Sequence, residues 1–167
     1  MKATKREWAT AYHEAGHAVI NVWLGVRVRS ASIVPDELDG TLGHVLRARS
    51  RIKFDDDYSR DHEWVVRRRL EPAIQVAYAG TIAERRFSGG RYNRVGAEDD
   101  LSWAADCLFR LEGGGKVTEL YSRYLWAATE RMVEARWEMI TNVAAALMEH
   151  RTLKGSQIRP LMFPDPA

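Results

Sequence analysis

Hydrophobic positions along this 167-residue chain recur mostly at helical spacing. Trp8, Ala11, Tyr12, Ala15, Ala18, Val19, Val22 and Trp23 make one stripe, opened by Thr4 and Glu7 at capping-box spacing and closed by Gly25, which predicts a first helix. From Val26 to Ile33 valine alternates with arginine and serine; Pro35 interrupts, and Thr41 to Leu46 resumes after Gly40. That pattern predicts a small two-stranded β-element. Arg47 to Arg60, with Asp55, Asp56 and Asp57 in a row, reads as a solvated connection. A second helix is expected over about Arg60 to Phe87, kinked or broken near Pro72 and ended by Ser88-Gly89-Gly90. A third is expected over about Ala97 to Leu111, where Glu98, Asp99 and Asp100 suit a positive helix N-terminus and Gly113 to Gly115 stop the chain. The remainder reads as one long helix from about Thr118 to Arg151, closed by Gly155. Its heptad-like stripe runs through Leu120, Tyr124, Ala127, Met132, Met139, Val143 and Leu147. The fold class is therefore mainly α with a small β-element, in a single domain over residues 1–167.

Composition narrows the functions available. With 46% hydrophobic residues the chain can bury a real core, and 25 Lys+Arg against 23 Asp+Glu leave a formal charge of only +2. So weak a field does not commit a protein to nucleic acid, and the run Arg67-Arg68-Arg69 points in different directions around a helix. No nucleic-acid partner is expected. The single cysteine, Cys107, builds neither a disulfide framework nor a zinc ribbon, which fits a reducing, cytoplasmic location. The run Ala18 to Val26 is interrupted by Asn21 and too short to span a bilayer, so neither a membrane segment nor a signal peptide is expected. Gly113-Gly114-Gly115-Lys116 is followed by Val117 and lacks phosphate-loop spacing, so the chain is expected to carry no nucleotide motor.

The chemistry concentrates in His13-Glu14-Ala15-Gly16-His17, an HExxH within the first helix. Spacing of four puts both imidazoles on one face, one turn apart, where they can share one ion. Neutral imidazole is a good zinc ligand, and Glu14, one residue on from His13, projects beside the ion within reach of its water. Such a carboxylate takes a proton from water attacking a carbonyl carbon and returns it to the leaving amine. Gly16 leaves room for another segment to approach. Catalytic zinc takes three protein ligands, so one more must come from elsewhere. A metzincin-type histidine would fall near position 23, which holds Trp23, and neither His44, His62 nor His150 has a spacing that recommends it. Carboxylates are the better candidates, chiefly Asp100 and Glu84.

These residues resemble the M41 peptidases, the protease domain of the membrane-bound, AAA-driven FtsH proteins, over nearly the whole chain. Ala11-Tyr12-His13-Glu14-Ala15-Gly16-His17-Ala18-Val19 is similar to the family's zinc helix, and Ser32-Ile33-Val34-Pro35 with Leu42-Gly43-His44 is similar to its short β-element. Ala79-Gly80-Thr81-Ile82-Ala83-Glu84 resembles GGRAAE, with Ala79 and Thr81 departing from it. Gly96-Ala97-Glu98-Asp99-Asp100-Leu101 resembles GAxNDL, and Ala146 to Gly155 resembles the closing helix and turn. The resemblance implies a helical, zincin-type peptidase domain whose third zinc ligand is Asp100, with Glu84 orienting a zinc histidine. Asp99 stands where the family has asparagine, a second carboxylate that competes for the ion. Extended substrate gripped at a sheet edge would involve Ile33, Val34, Leu42, Gly43 and His44.

The expectation is a zinc-dependent endopeptidase that cleaves flexible or unfolded polypeptides, with Zn²⁺ as cofactor and Glu14 as general base. As a chain that begins almost at the zinc helix, it reads as a stand-alone domain lacking the AAA module, with a separate ATPase as a possible partner and the oligomeric state left open. The alternative is a catalytically silent, zinc-containing binding or regulatory module.

Overall fold

The computed structural model describes residues 3–35, 43–47 and 63–164. Among these residues it is mainly helical, with six helices and one small antiparallel sheet. Helix α1 spans Lys5–Trp23. Thr4 caps it: Glu7 donates its backbone N–H to Thr4 Oγ1, and Glu7 Oε2 accepts from the Thr4 backbone. Helix α2 (Glu63–Ser88) continues through Pro72, so the expected break is not made. Helix α3 (Arg94–Glu112) starts three residues before the expected point, with Asn93 as N-cap. Glu98, Asp99 and Asp100 consequently fall in its second turn instead of at its positive end.

Two expectations are corrected towards the C-terminus. The predicted long helix is two shorter ones, α4 (Gly115–Ala135) and α5 (Trp137–His150), and a further helix, α6 (Gly155–Met162), follows beyond the predicted end. The first break is at Arg136, whose φ of −122° leaves the helical region; its guanidinium lies 3.5 Å from the Trp23 ring centroid and donates to the Met132 carbonyl. That break lets α4 follow α2 while α5 turns back along α1. Gly155 begins α6 instead of ending a helix, because the chain there presses on β1: a Cβ at Gly155 would lie 1.9 Å from the Val28 carbonyl oxygen. The heptad-like stripe does not form one face either. In α4 the buried residues are Leu125, Thr129 and Val133, while Leu120, Tyr124 and Ala127 face outward; only Val143 and Leu147, in α5, are buried from that stripe's C-terminal half.

The β-element gains a strand. Strands β1 (Val28–Ser32) and β2 (His44–Arg47) pair antiparallel with Ser32 opposite His44, and β3 (Thr152–Lys154) pairs on the other side of β1 with Leu153 opposite Ala31. The order β2-β1-β3 puts β1 in the centre. Helix α1 is the hub: it packs against α2 on one side and α5 on the other, and α2 carries α3 and α4. Ile20, Leu70, Ile74, Leu125, Ile140 and Leu147 are fully buried in this core. Among the described residues no helix is long and apolar enough to cross a membrane.

Candidate metal centre

The site forms where α1 crosses α2 at very short range. A Cβ on Gly16 would stand 2.6 Å from the Ala79 carbonyl oxygen, and one on Gly80 would stand 2.3 Å from His17 Nε2. Small residues on both helices thus let the histidine face of α1 lie on the backbone of α2. The register follows from spacing. Val76, Gly80 and Glu84 recur every four residues on α2, as His13 and His17 do on α1. His17 Nδ1–H donates to the Val76 carbonyl at 2.7 Å, its ring rests on Gly80, and His13 Nδ1–H donates to Glu84 Oε2 at 3.1 Å. The two helices therefore run antiparallel here.

These partners decide the histidine tautomers. A carbonyl only accepts, so His17 carries its proton on Nδ1, and the Glu84 carboxylate favours the same for His13. Both Nε2 lone pairs then face inward, 3.0 Å apart, and Asp100 Oδ2 joins them at 2.8 Å from His17 Nε2 and 3.3 Å from His13 Nε2. Three acceptor atoms converge with no hydrogen to share, an arrangement that requires a positive charge at its centre. His13, His17 and Asp100 are the group among the described residues whose ligand atoms lie within 4.8 Å of one another. Two imidazole nitrogens and one carboxylate oxygen, with the other imidazole nitrogens tied down, are a donor set suited to Zn²⁺.

Titration behaviour carries the same demand. Burial would lower the pKa of His13, but the hydrogen bonds with Asp100 and Glu84 and the charge of Glu14 push it up from 6.5 to about 10. Burial works to raise the Asp100 carboxyl, yet the facing His17 and His13 hold it far below the usual carboxylate range. Without a metal the nest draws in a proton; a divalent ion would displace it.

Glu84 does more than orient His13. Its second oxygen, Oε1, accepts the Asn93 backbone N–H at 2.8 Å, so one buried carboxylate ties the histidine to the start of α3. Asp100 lies seven residues beyond that tie, two turns along α3 and on the same face. Glu14 is buried beside this cluster, where the charges of His13, His17 and Asp100 act on it. Burial raises its pKa against the pull of His13 and His17, and its carboxylate lies against Gly43, where a Cβ would be 2.8 Å from Oε1. Asp99 is exposed and outside the three-atom cluster.

Of the expected substrate contacts, Gly43 immediately precedes strand β2 and lies against Glu14, and His44 opens the strand. Leu42 lies outside the described residues. Ile33 is buried and its N–H donates to the Arg151 carbonyl at 2.9 Å, on the side of β1 that β3 occupies. Val34 is exposed, with its N–H turned back onto Ser32 Oγ. Among the described residues, the sheet edge beside Glu14 is β2. Three contributors escaped the sequence reading: the Val76 carbonyl, Gly80 as the seat of a ring, and the Asn93 N–H. Only Gly80 left a trace, as a glycine in mid-helix at position i−4 from Glu84.

No protein-family model matches the chain. Among curated proteins, the ATP-dependent zinc metalloproteases FtsH of Rickettsia prowazekii and Rickettsia conorii are each 24% identical to it over 196 aligned positions, and that of Rickettsia typhi is 23% identical. Each match takes in 95% of this chain, and the chain spans only 29% of the length of these relatives. A likeness this distant but this extensive points to a region related to the FtsH zinc metalloproteases, and leaves the role of each residue to the geometry.

Proposed function

We propose that the chain is a zinc-dependent endopeptidase domain of M41 type, in which His13, His17 and Asp100 hold Zn²⁺ and Glu14 is the general base. The observation that carries this reading is the convergence of two imidazole nitrogens and a carboxylate oxygen within 4.8 Å of one another, next to a buried glutamate. Zinc in such a site supplies Lewis-acid polarisation of a carbonyl and makes water acidic near neutral pH. The Val76 carbonyl and Glu84 keep both imidazoles in the ligating tautomer, and Asp100 supplies one negative charge. Glu14 accepts the proton of the water that attacks the carbonyl carbon; as the C–N bond breaks, it delivers that proton to the departing amine nitrogen. Extended polypeptide adds to the β2 edge, with Gly43 leaving space for the Glu14 carboxylate.

The relatives are ATP-dependent by name, and the proposal includes delivery of unfolded polypeptide by an ATPase. Hydrolysis itself needs no ATP, so flexible peptides are substrates without one. The test is metal analysis alongside cleavage of an unbiased peptide library. One zinc per chain, lost in His13→Ala, and cleavage that Glu14→Gln abolishes with zinc retained are the expected results. A zinc-loaded chain that cleaves nothing in the library would identify a silent binding module instead.

A further inference from the structure

Helix α4 has two apolar faces where a surface helix ordinarily has one. Leu125, Thr129 and Val133 face the core, while Val117, Leu120, Tyr124 and Ala127 line the opposite side. Val117 is 60% exposed, Leu120 53% and Tyr124 65%. Their spacing of three, four and three is the a/d pattern of a coiled-coil seam. Phe109, also exposed, lies over Gly114 and carries the apolar strip past the helix N-terminus.

We propose that this seam joins two copies of the chain through an antiparallel pairing of their α4 helices. The seam is complementary to itself under a two-fold axis near Ser122. In that register Leu120 packs on the second copy's Tyr124, and Val117 on the second copy's Ala127, so each layer sets a larger side chain against a smaller or flatter one. Charge fixes the direction. Along one flank run Lys116, Arg123 and Glu130, and along the other Tyr121 and Ala128. Antiparallel packing brings Lys116 to the second copy's Glu130 twice, whereas parallel packing would set these charges against Tyr121 and Ala128. The two Arg123 side chains meet at the axis; each pairs at 2.7 Å with the Glu119 of its own helix, which also holds Lys116 at 3.2 Å, so Lys116 turns from Glu119 to the second copy's Glu130 as the dimer forms. The apolar strip is about 15 Å long, a small contact beside the ~800 Å² per partner of a standard interface, so the dimer is weak. The inference does not depend on the peptidase reading.

Sedimentation equilibrium of the full chain from about 5 to 500 µM tests it. A monomer–dimer equilibrium is expected, with Leu120→Glu raising Kd about a hundredfold or more and leaving far-UV circular dichroism and zinc binding unchanged. Tyr124→Lys serves as the second variant. Lys116→Glu and Glu130→Lys should each weaken the dimer several-fold, and the double exchange should restore it. In a Cys107→Ala background, Arg123→Cys should cross-link to itself under mild oxidation. A chain that stays monomeric over the range, a dimer indifferent to Leu120→Glu, or a double charge exchange that restores nothing would overturn the proposal.

Discussion

Replacing Gly80 by alanine sets helix propensity against packing. In an exposed helix interior the change would stabilise by about 1 kcal/mol. Here the new Cβ would stand 2.3 Å from His17 Nε2, 2.6 Å from Cε1 and 2.8 Å from Cδ2, where carbon contacts ordinarily settle at about 3.5–4.0 Å. The ring has little freedom to retreat. Its Nδ1–H is fixed to the Val76 carbonyl of the same helix, and His13 Nε2 lies 3.0 Å from its other nitrogen. Either the imidazole shifts by about 1 Å or α1 and α2 separate, and overpacking of this kind costs about 1–3 kcal/mol. Set against the propensity gain, the metal-free protein should lose roughly 0–2 kcal/mol. The crowded atom is also the ligand atom, so zinc affinity should fall about 10- to 100-fold. Urea unfolding of the metal-free protein and competition with a chromophoric chelator measure the two quantities. A Gly80→Ala protein that is about 1 kcal/mol more stable and binds zinc as before would refute the reasoning.

Other substitutions probe separate parts of the site. Glu84→Gln keeps an acceptor for the Asn93 N–H but can turn an amide N–H towards His13 Nδ1. That favours the tautomer that blocks Nε2, and chelator competition should show zinc binding about 10- to 100-fold weaker. Asp100→Ala should lose stoichiometric zinc in metal analysis while Asp99→Ala keeps it; the reverse result would make Asp99 the ligand. Thr4→Ala removes the cap of α1 and should cost about 1 kcal/mol in urea unfolding. The Thr4 backbone and hydroxyl hold the Glu7 carboxyl below its ordinary 4.5, so Glu7's contribution is present above pH 4.5 and is lost as pH falls through the lower folded value. Unfolding midpoints of wild type and Glu7→Gln should therefore converge in acid.

How much of this was legible in the sequence varies with the range over which each feature is decided. Helix α1, its cap and the His13/His17 pair follow from local periodicity and capping chemistry, and the structure holds them in those places. The division at Arg136 was hidden because α4 carries two interleaved apolar stripes, and periodicity detects a stripe without saying which one meets the core. Strand β3 has three residues, too few to show alternation, and it pairs with β1 more than a hundred positions away. The use of Gly155 as a helix start instead of a stop depends on the Val28 carbonyl pressing against it.

The sequence by itself determined the chemistry on offer: two imidazoles one turn apart with a carboxylate between them, on a helix whose ends it also marks, because side-chain spacing along a helix is a local property. Only the tertiary structure decided how that chemistry is completed. It seated His17 on Gly80, fixed both tautomers from α2, used Glu84 to tie His13 to the start of α3, and brought Asp100 within 3.3 Å of both imidazoles. It also buried Ile33 and paired β1 on both sides. These outcomes depend on which helix faces meet and how closely. Packing of small residues at the α1–α2 crossing settles that; the four-residue spacings on the two helices fix the register once they meet, but do not say which helices meet.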